Sequence, residues 1–578
     1  MYGTTGAAAV SKLGPLPLVI GVTGHRDLRE EDREALEAQV RGVFAELRVR
    51  YRDTPVLLLT PLAEGADRLA ARVALECNAR LIVPLPMPRA LYEADFQTPA
   101  SLAEFDAILQ RAEGWFELPL LPENSEEKIR AYGEHRDRQY AYVGAYIARH
   151  SQILVALWDG VASDAEGGTA QVVHFKLLGV PERYAFTDAV NSPLDPVDSG
   201  PVYHIVTPRA SNPRPTGKAA SLIKLFPHGF ERDALAEASY NRIYARMNTF
   251  NQDAMQLEST LTQQRENSKT SVMPAAAIEH FSRPLRFTLD CYAIADTLAI
   301  YFQAKTLLTL RALLTLSLLA AVFFQLYSHV ETKPWGLALL YMSALGVAYA
   351  WYLWAKRQDY ENKYLDYRAL AEGLRVQLFW RLAGLQYSVA DHYLRKQRGE
   401  LDWIRNALRV WSLLEMAIHS PPTPQPASKC ADSLRLILKH WVEDQYTYFS
   451  KVALRDHTKF QRIKKISYTF FLVGMAMGVI KVFLSADHPI LVAIGMAVII
   501  AALLFGYAKS RALSEHAKQY GRMSIIFANA KRHLEELMRA GRYAKASALI
   551  EELGKEALVE NGDWVLLHRE RPLQVPKA

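Results

Sequence analysis

Residues 312–330 read ALLTLSLLAAVFFQLYSHV and contain no Lys, Arg, Asp or Glu. A helix needs about 20 predominantly apolar residues to cross the hydrocarbon core of a bilayer. Residues 335–355, 466–486 and 489–508 also meet this length, and only 466–486 carries a charge, Lys481 near its end. A lysine in that position can extend its ammonium group to the interface. The four segments therefore predict four transmembrane helices rather than the buried helices of a soluble protein.

The four spans form two close pairs, and cations flank each pair. These cations are Lys305, Arg311, Lys356, Arg357, Lys363, Arg462, Lys464, Lys465, Lys509 and Arg511. The loops inside the pairs, HVETKPW and SADHP, contain few cations. The positive-inside rule then places both hairpin tips outside and both termini in the cytoplasm. We expect a multi-pass protein of the inner (cytoplasmic) membrane, with the lipid bilayer as a partner.

The two pairs also belong to an internal repeat with a constant offset of 154 residues. The matching positions are Asp290/Asp444, Tyr292/Tyr446, Lys305/Lys459, Glu361/Glu515 and Arg368/Arg522. Each copy reads as a long cytoplasmic helix, a hairpin and a second long cytoplasmic helix, which indicates a duplicated module. We expect the repeated Asp and Arg to hold the two cytoplasmic helices of a module together.

Composition argues against several other classes of protein. The net charge of the 578 residues is +7, but the cations gather beside the apolar segments. Because no zinc-finger spacing or long basic tract is present, nucleic acid is not an expected partner. Cys77, Cys291 and Cys430 are too dispersed for a disulfide framework or a metal site. The first residues lack the basic and apolar regions of a signal peptide.

The first 300 residues alternate short apolar runs with helical patterns. The apolar runs are residues 16–21, 56–59, 80–84, 153–158 and 202–207. Helical patterns follow, for example REEDREALEAQVRGVFAEL at 29–47 and the stretch 128–150. Strands that alternate with helices predict an α/β domain with a parallel sheet, placed before an all-α membrane domain.

Three of these runs lead into loops rich in glycine and charge. They supply the candidate ligand-binding residues Thr23, Gly24, His25, Arg26, Glu64, Gly65, Asp67, Asp159, Gly167, Gly168 and Thr169. In open α/β sheets the ligand crevice lies at the carboxyl ends of the strands, and helix starts favour phosphate. Arg26 would supply a cation, and Glu64 and Asp67 would accept ribose hydroxyls, unless Arg26 and Asp67 pair with each other. Each glycine alternatively forms only a turn or a helix cap.

The motifs GVTGHRDL (21–28), EGADRLA (64–70), WDG (158–160) and EGGTAQVVHF (166–175) resemble the SLOG family. This Rossmann-like nucleotide-binding superfamily includes the lonely-guy proteins and the N-terminal domain of TRPM-type channels, and the chain looks closest to its prokaryotic TRPM-like branch. The repeated hairpins are similar to SLATT domains, which are two-helix membrane effectors found beside nucleotide sensors in bacterial conflict systems.

The resemblance implies a division of the chain into six parts. Residues 15–245 form a SLOG-like domain, 246–278 a helical linker, 279–390 a first SLATT-like module, 391–434 a connector with a Pro-rich loop, 435–553 a second module, and 554–578 a tail. We expect two membrane hairpins with long cytoplasmic helices behind a Rossmann-like sensor.

The resemblance further implies a nucleotide-sensing membrane effector, an oligomeric ligand-gated pore or channel of an antiviral defence system. Its ligand would be a nucleotide or nucleotide derivative, and no other cofactor is assigned. Lonely-guy enzymes carry a catalytic carboxylate in a loop reading PGGxGTxxE, whereas Val172 stands at that position here. We therefore assign no catalytic residue and no metal ligand. A membrane-anchored nucleotide-processing enzyme and a non-conducting membrane receptor are the alternatives.

Four helices are few for a pore, so we expect a homo-oligomer. Gly474 and Gly478 form a GxxxG pattern, which permits close contact between helices. Thr315, Ser317 and Gln325 are polar positions of the first span, where they either line a pore or bond to backbone.

Overall fold

The computed structural model describes residues 16–96, 98–185, 197, 199–227, 233–330, 332–394, 401–417, 427–484 and 490–571. The chain divides into two compact units. The first comprises Met1–Thr260, Phe281–Asp290 and Tyr387–Thr423, and the second comprises Leu261–His280, Cys291–Gln386 and Pro424–Ala578. The connector segment between the two predicted modules thus belongs largely to the first unit.

Strands alternate with helices as far as β7, and the described elements after β7 are helices. The strands are β1 Leu18–Gly24, β2 Val56–Leu59, β3 Arg80–Leu85, β4 Gly114–Glu117, β5 Ile153–Trp158, β6 Val202–Val206 and β7 Leu222–Leu225. The helices are α1 Arg33–Arg50, α2 Ala66–Glu76, α3 Arg89–Glu93, α4 Pro99–Arg111, α5 Glu126–Arg130, α6 Glu134–His150, α7 Thr169–Leu178, α8 Asp233–Gln256, α9 Glu258–Val272, α10 Ala275–Ile278, α11 Arg283–His329, α12 Trp335–Arg357, α13 Tyr360–Leu382, α14 Asp402–Ala417, α15 Ala427–Ile437, α16 Asp444–Lys481, α17 Ile490–Ser510, α18 Leu513–Arg539 and α19 Tyr543–Arg569.

A sheet in the order β4-β3-β2-β1-β5-β6-β7 forms the centre of the first unit. Neighbouring strands are parallel except β6 and β7, which are antiparallel. The central strands β2 and β5 are buried along their whole length, because helices such as α2, α6 and α7 pack on this part of the sheet. The alternating pattern of the sequence correctly predicted an α/β domain with a mainly parallel sheet.

Helix α1 shows why the helical patterns fold onto the sheet. Its buried residues recur every three or four positions and are Leu36, Val40, Val43, Phe44 and Leu47. This spacing places them on one face of the helix, where their burial removes apolar surface from water.

The observed elements differ from the predicted ones at two edges and one helix. The sheet gains two edge strands that were not predicted, β4 and β7, and their residues are mostly half-buried or exposed. The helix predicted over 128–150 is divided into α5 and α6, with Gly133 between them at a φ of +138°. Helix α5 ends at Arg130 because Ala131 is extended, and Gly133 precedes α6 with a positive φ that favours glycine.

Helix α14 of the connector packs within the first unit. Its Trp403 and Trp411 lie 6.0 and 5.9 Å from the ring of Phe250 on α8. In the segment that precedes α14, Asp391 forms an ion pair with Arg149 near the end of α6, with 2.5 Å between the charged atoms. The Pro-rich loop predicted for the same connector falls mainly on residues 418–426, outside the described residues.

The second unit is helical, and four of its described helices are long and apolar enough to cross a membrane. The predicted spans coincide largely with α11, α12, α16 and α17, although α16 ends at Lys481 and residues 485, 486 and 489 lie outside the described residues. Large apolar side chains on these helices are exposed, for example Met342, Phe471 and Phe505. Apolar surface of this kind is unfavourable in water and favourable in lipid.

Helix α19 continues to Arg569 as a packed helix, so the described part of the predicted tail is mostly helical. Leu558 and Val565 are buried on its inner face. At Gly554, an added side chain would collide with the indole of Trp380 on α13, so glycine is needed for the close approach of these helices.

The repeat is visible in the helix breaks of the second unit. The second apolar helix of each pair, α12 or α17, is followed by a residue in the left-handed conformation, Asp359 with φ +55° or Ala512 with φ +47°. These two positions are 153 residues apart, one residue short of the offset found in the sequence. The prediction that Asp290 and Arg368 hold the two helices of the first module together is wrong in one residue. Arg368 forms its ion pair with Asp296 on α11, at 3.1 Å. In the second module the position equivalent to Asp296 is Ser450, which carries no charge, so this ion pair is not repeated there.

The small residues of the spans have different surroundings. An added side chain at Gly474 would be 3.4 Å from Ala497 on α17, whereas one at Gly478 would meet no atom within 4 Å. Gly474 therefore supports packing within the chain. Gln325 on α11 lies against Gly495 on α17, where any added side chain would overlap its amide. A polar amide is thus held between two apolar helices.

Candidate functional site

The strand order reverses at β1, and this point defines the candidate site. From β1 the chain adds β2, β3 and β4 on one side, and it then returns to place β5 on the other side of β1. Ligands of open α/β sheets bind outside the carboxyl ends of the strands at such a reversal. Because β1 lies between β2 and β5 and is parallel to both, the three predicted loops begin at the same edge of the sheet.

Two glycines bring the loops after β1 and β2 into direct contact. The N–H of Ala66 donates to the carbonyl of His25 at 3.1 Å. Gly65 has a φ of +79°, and an added side chain would collide with the carbonyl oxygens of His25 and Arg26. At Gly24, a side chain would collide with Ala66. These glycines are therefore required by the close approach of two loops and do not merely form turns.

His25 and Asp159 connect the loops after β1 and β5. The N–H of Asp159 donates to Nε2 of His25 at 3.1 Å. Burial and the nearby charge of Arg209 lower the pKa of His25, so the ring is neutral and can accept this bond. Burial raises the pKa of Asp159, but hydrogen bonds from Val161 N–H and Asn212 outweigh this effect and lower it. Both side chains are thus engaged in holding the loops.

The loop after β6 covers this side of the site, which the sequence did not predict. Arg209 donates to Asp27 at 2.9 Å, and Ser211 donates to the other carboxylate oxygen at 2.5 Å. Asn212 donates to Asp159 at 3.1 Å. On the side of the site that faces β6, the residues after β1 and β5 are therefore bonded to the loop that follows β6.

Arg26 remains available to a ligand. Its side chain is exposed, and its guanidinium carbon lies 5.3 Å from the centre of the Tyr140 ring on α6. Among the described residues it makes no ion pair, so the suggested pairing with Asp67 does not occur. A guanidinium over an aromatic face keeps its charge and its donors for an anionic partner.

The two carboxylates predicted to accept ribose hydroxyls are both engaged. Glu64 accepts a hydrogen bond from the hydroxyl of Ser101. Asp67 is only 5% exposed and accepts a bond from the N–H of Ala63 at 3.3 Å. Burial raises the pKa of Asp67 to about 7, although hydrogen bonds from Thr60 and Ala63 and the charge of Arg26 oppose the increase. Asp67 is therefore a buried acid that changes protonation near neutral pH.

The third loop lies beside the same tyrosine as Arg26. Gly167 has a φ of +77°, and an added side chain would collide with Tyr140. Its N–H donates to the side chain of Gln171 at 2.8 Å, and α7 begins at Thr169. The first N–H groups of a helix lack partners within the helix and attract anions. Tyr140 therefore joins Arg26 to the loop that precedes the start of α7.

The site combines an exposed cation, a helix start and closely packed glycine loops at the sheet edge where the strand order reverses. The residues that the structure describes contain no group of His, Cys, Asp or Glu suited to a metal ion. Comparison with models of protein families finds no match, and comparison with curated proteins finds none. The first unit is thus defined by its geometry as a mainly parallel α/β domain, and the second as a helical unit with four candidate membrane spans.

Proposed function

We propose that this protein is a nucleotide-sensing membrane effector. Its first unit would be a Rossmann-like, SLOG-type sensor, and its second unit would be two SLATT-like hairpins that form an oligomeric pore or channel in the inner membrane. The termini would be cytoplasmic, and the biological setting would be antiviral defence in bacteria. The observation that carries the proposal is an exposed, unpaired Arg26 at the carboxyl edge of the sheet, in a chain that also has four candidate spans.

Electrostatics at the edge favour an anionic ligand. Arg26 is a permanent cation, and the start of α7 carries the partial positive charge of a helix N-terminus. A nucleotide supplies phosphate oxygens for both. His25, Asp159 and the glycines then act as the scaffold that fixes the geometry of the loops.

Ligand binding must favour one arrangement of the membrane helices over another if it is to open a pore. Only a difference in affinity between two states moves such an equilibrium. We propose that the liganded state of the first unit favours the conducting state of the second.

A second candidate function, a membrane-anchored nucleotide-processing enzyme, draws support from one observation. The pKa of the buried Asp67 is raised to about 7 next to the candidate site, mainly by burial. Acids with such pKa values act as proton donors or acceptors in catalysis. Conversion of a bound nucleotide that is lost in Asp67→Asn would favour this function.

Binding of ADP to the full chain in detergent micelles tests the sensor. Arg26→Ala removes the exposed cation, and we expect about 10- to 100-fold weaker binding, as for lost hydrogen bonds to charged groups. Arg33→Ala is the matched control, because Arg33 also belongs to the first unit and, within the part of the chain that the structure describes, forms an ion pair only with Glu30 at the surface. Equal affinity of wild type and Arg26→Ala would remove the proposed site.

A further inference from the structure

Four buried polar atoms near the candidate site have no hydrogen-bond partner. They are Nη2 of Arg68, Nε of Arg136, Oδ2 of Asp95 and the hydroxyl of Tyr140. The side chains of Arg68, Arg136 and Asp95 are exposed by only 2, 3 and 1%. Buried polar atoms without a partner are uncommon and unfavourable in folded proteins, so a group of them indicates a place for a ligand.

These residues form one cluster around the rings of Tyr92 and Tyr140. Arg68 joins it through Phe96, whose ring centre lies 4.4 Å from the guanidinium carbon and 5.2 Å from the Tyr92 ring. The guanidinium carbons of Arg26 and Arg136 lie 5.3 and 6.0 Å from the centre of the Tyr140 ring. The Tyr92 ring lies 6.4 Å from that of Tyr140. Burial and then the charge of Asp67 raise the pKa of Tyr92, while Arg26 and Arg68 act against this increase. The Tyr92 hydroxyl is therefore within electrostatic reach of the same charged groups.

The two buried arginines are held rigidly by their other atoms. Arg68 donates to the carbonyl of Leu62 at 3.1 Å and to that of Ser101 at 2.9 Å. Arg136 donates to the carbonyl of Leu91 at 2.9 Å and to Asp95 at 2.6 Å. Their remaining N–H groups are therefore fixed in direction before any ligand binds, which lowers the cost of binding.

The chemistry of the cluster is that of a site for oxygen acceptors. Two guanidinium nitrogens and one phenol hydroxyl have no acceptor among the described residues, whereas Oδ2 of Asp95 has no donor within hydrogen-bond distance, although the Tyr132 hydroxyl lies near this carboxylate. The exposed guanidinium of Arg26 adds further donors beside the same ring. Arginine binds phosphate oxygens with several directed hydrogen bonds.

We propose that Arg26, Arg68, Arg136 and Tyr140 bind a diphosphate group, with Asp95 accepting a hydroxyl of the attached sugar. This inference rests on the proposed nucleotide-sensing function and narrows its ligand to a nucleoside diphosphate or a diphosphate-linked dinucleotide. The donors come from three separate segments, the loop after β1, α2 and α6, and two linked phosphate groups offer acceptors to all of them at once. The site extends from the sheet reversal toward β3, since Asp95 lies in the segment after that strand.

Tyr140→Phe is a selective test, because the hydroxyl it removes bonds to no described protein group. We expect the variant to fold as the wild type does and to bind ADP about tenfold more weakly, the effect of one hydrogen bond to a charged group. AMP should bind more weakly than ADP to the wild type, and inorganic pyrophosphate should bind measurably. Isothermal titration of the full chain in detergent gives all three affinities.

Tyr51→Phe is the matched control. Its hydroxyl donates to Asn241 at 3.0 Å on the opposite part of the unit from the predicted ligand loops, so its loss should lower stability without changing the affinity for ADP. An unchanged ADP affinity in Tyr140→Phe, or AMP binding as tight as ADP binding, would overturn the diphosphate site and leave nucleotide sensing in place. Pyrophosphate binding that Tyr140→Phe weakens, without binding of either nucleotide, would support the diphosphate site and refute nucleotide sensing. Failure of all three probes to bind would refute both.

Discussion

Single residues decide how closely the loops of the candidate site approach each other. Gly65 is the clearest case, because both its backbone angle and its surroundings exclude a side chain. His25 directly follows the last residue of β1, and its ring joins two loops because it accepts a hydrogen bond from the N–H of Asp159. The functional group, Arg26, lies between these scaffold residues.

Gly65→Ala should lower the free energy of unfolding by about 2–5 kcal/mol, from the left-handed backbone and from collision with two carbonyl oxygens. Gly133→Ala separates these causes, because Gly133 has a φ of +138° but open space around it. We expect a smaller loss there. Thermal unfolding of both variants in detergent is the measurement, and equal losses would show that the contact between the loops contributes little.

Asp67 should make stability depend on pH. Burial raises its pKa from an ordinary value of 3.8 to about 7 in the folded chain. The protonated Asp67 therefore contributes fully to the stability of the fold below pH 3.8. This contribution is lost as the pH rises toward 7. The free energy of unfolding of Asp67→Asn, relative to that of wild type, should increase by about 3–4 kcal/mol between pH 4 and pH 7. The reason is that a pKa difference of one between folded and unfolded chains corresponds to about 1.4 kcal/mol. A difference that stays constant with pH would contradict the raised pKa.

The sequence was informative for some site residues and silent on others. Arg26 and Gly65 stand in glycine-containing loops directly after apolar runs, and strand direction brings such loops to one edge. Arg136 and Tyr140 lie on α6, whereas Asp95 lies in the segment after α3, and these segments meet only through tertiary packing. No local pattern marks them, so they could not be predicted. The orientation of Asp67 into the protein likewise depends on contacts with Thr60 and Ala63.

At the scale of elements, the predictable parts are those with strong periodicity. The long apolar runs gave five strands and four spans, because burial on both faces or in lipid requires continuous apolar sequence. Strands β4 and β7 have four residues each and lie at the sheet edges, where one apolar face is enough. The part of α19 after Leu553 was not predicted, because Gly554, Asn561 and Gly562 on its buried face weaken the apolar periodicity of the sequence.

Packing between α11 and α17 depends on Gly495, which makes room for Gln325. Gly495→Leu should destabilise the second unit by about 1–3 kcal/mol, as expected for overpacking. Gly506→Leu on the same helix is the control, because a side chain there meets no atom within 4 Å. Thermal unfolding in detergent compares them. If both variants behave alike, the contact between Gln325 and Gly495 does not position these helices.

At the scale of the whole molecule, chain connectivity links the two units more than once. The boundary between Asp290 and Cys291 falls inside α11, which also contains the first candidate span. Helix α14 belongs to the first unit but lies in sequence between the two pairs of spans. A change in the first unit is thus connected covalently to both pairs. This connectivity supports our proposal that ligand binding and membrane function are coupled.

The most direct test is the release of a fluorescent dye from liposomes that contain the reconstituted protein. We expect ADP to trigger release with wild type and with Arg33→Ala, and to trigger none with Arg26→Ala at the same concentration. Release that does not depend on ADP, or ADP binding to wild type without any release, would contradict a nucleotide-gated pore. Consumption of ADP without release would instead favour the membrane-anchored enzyme.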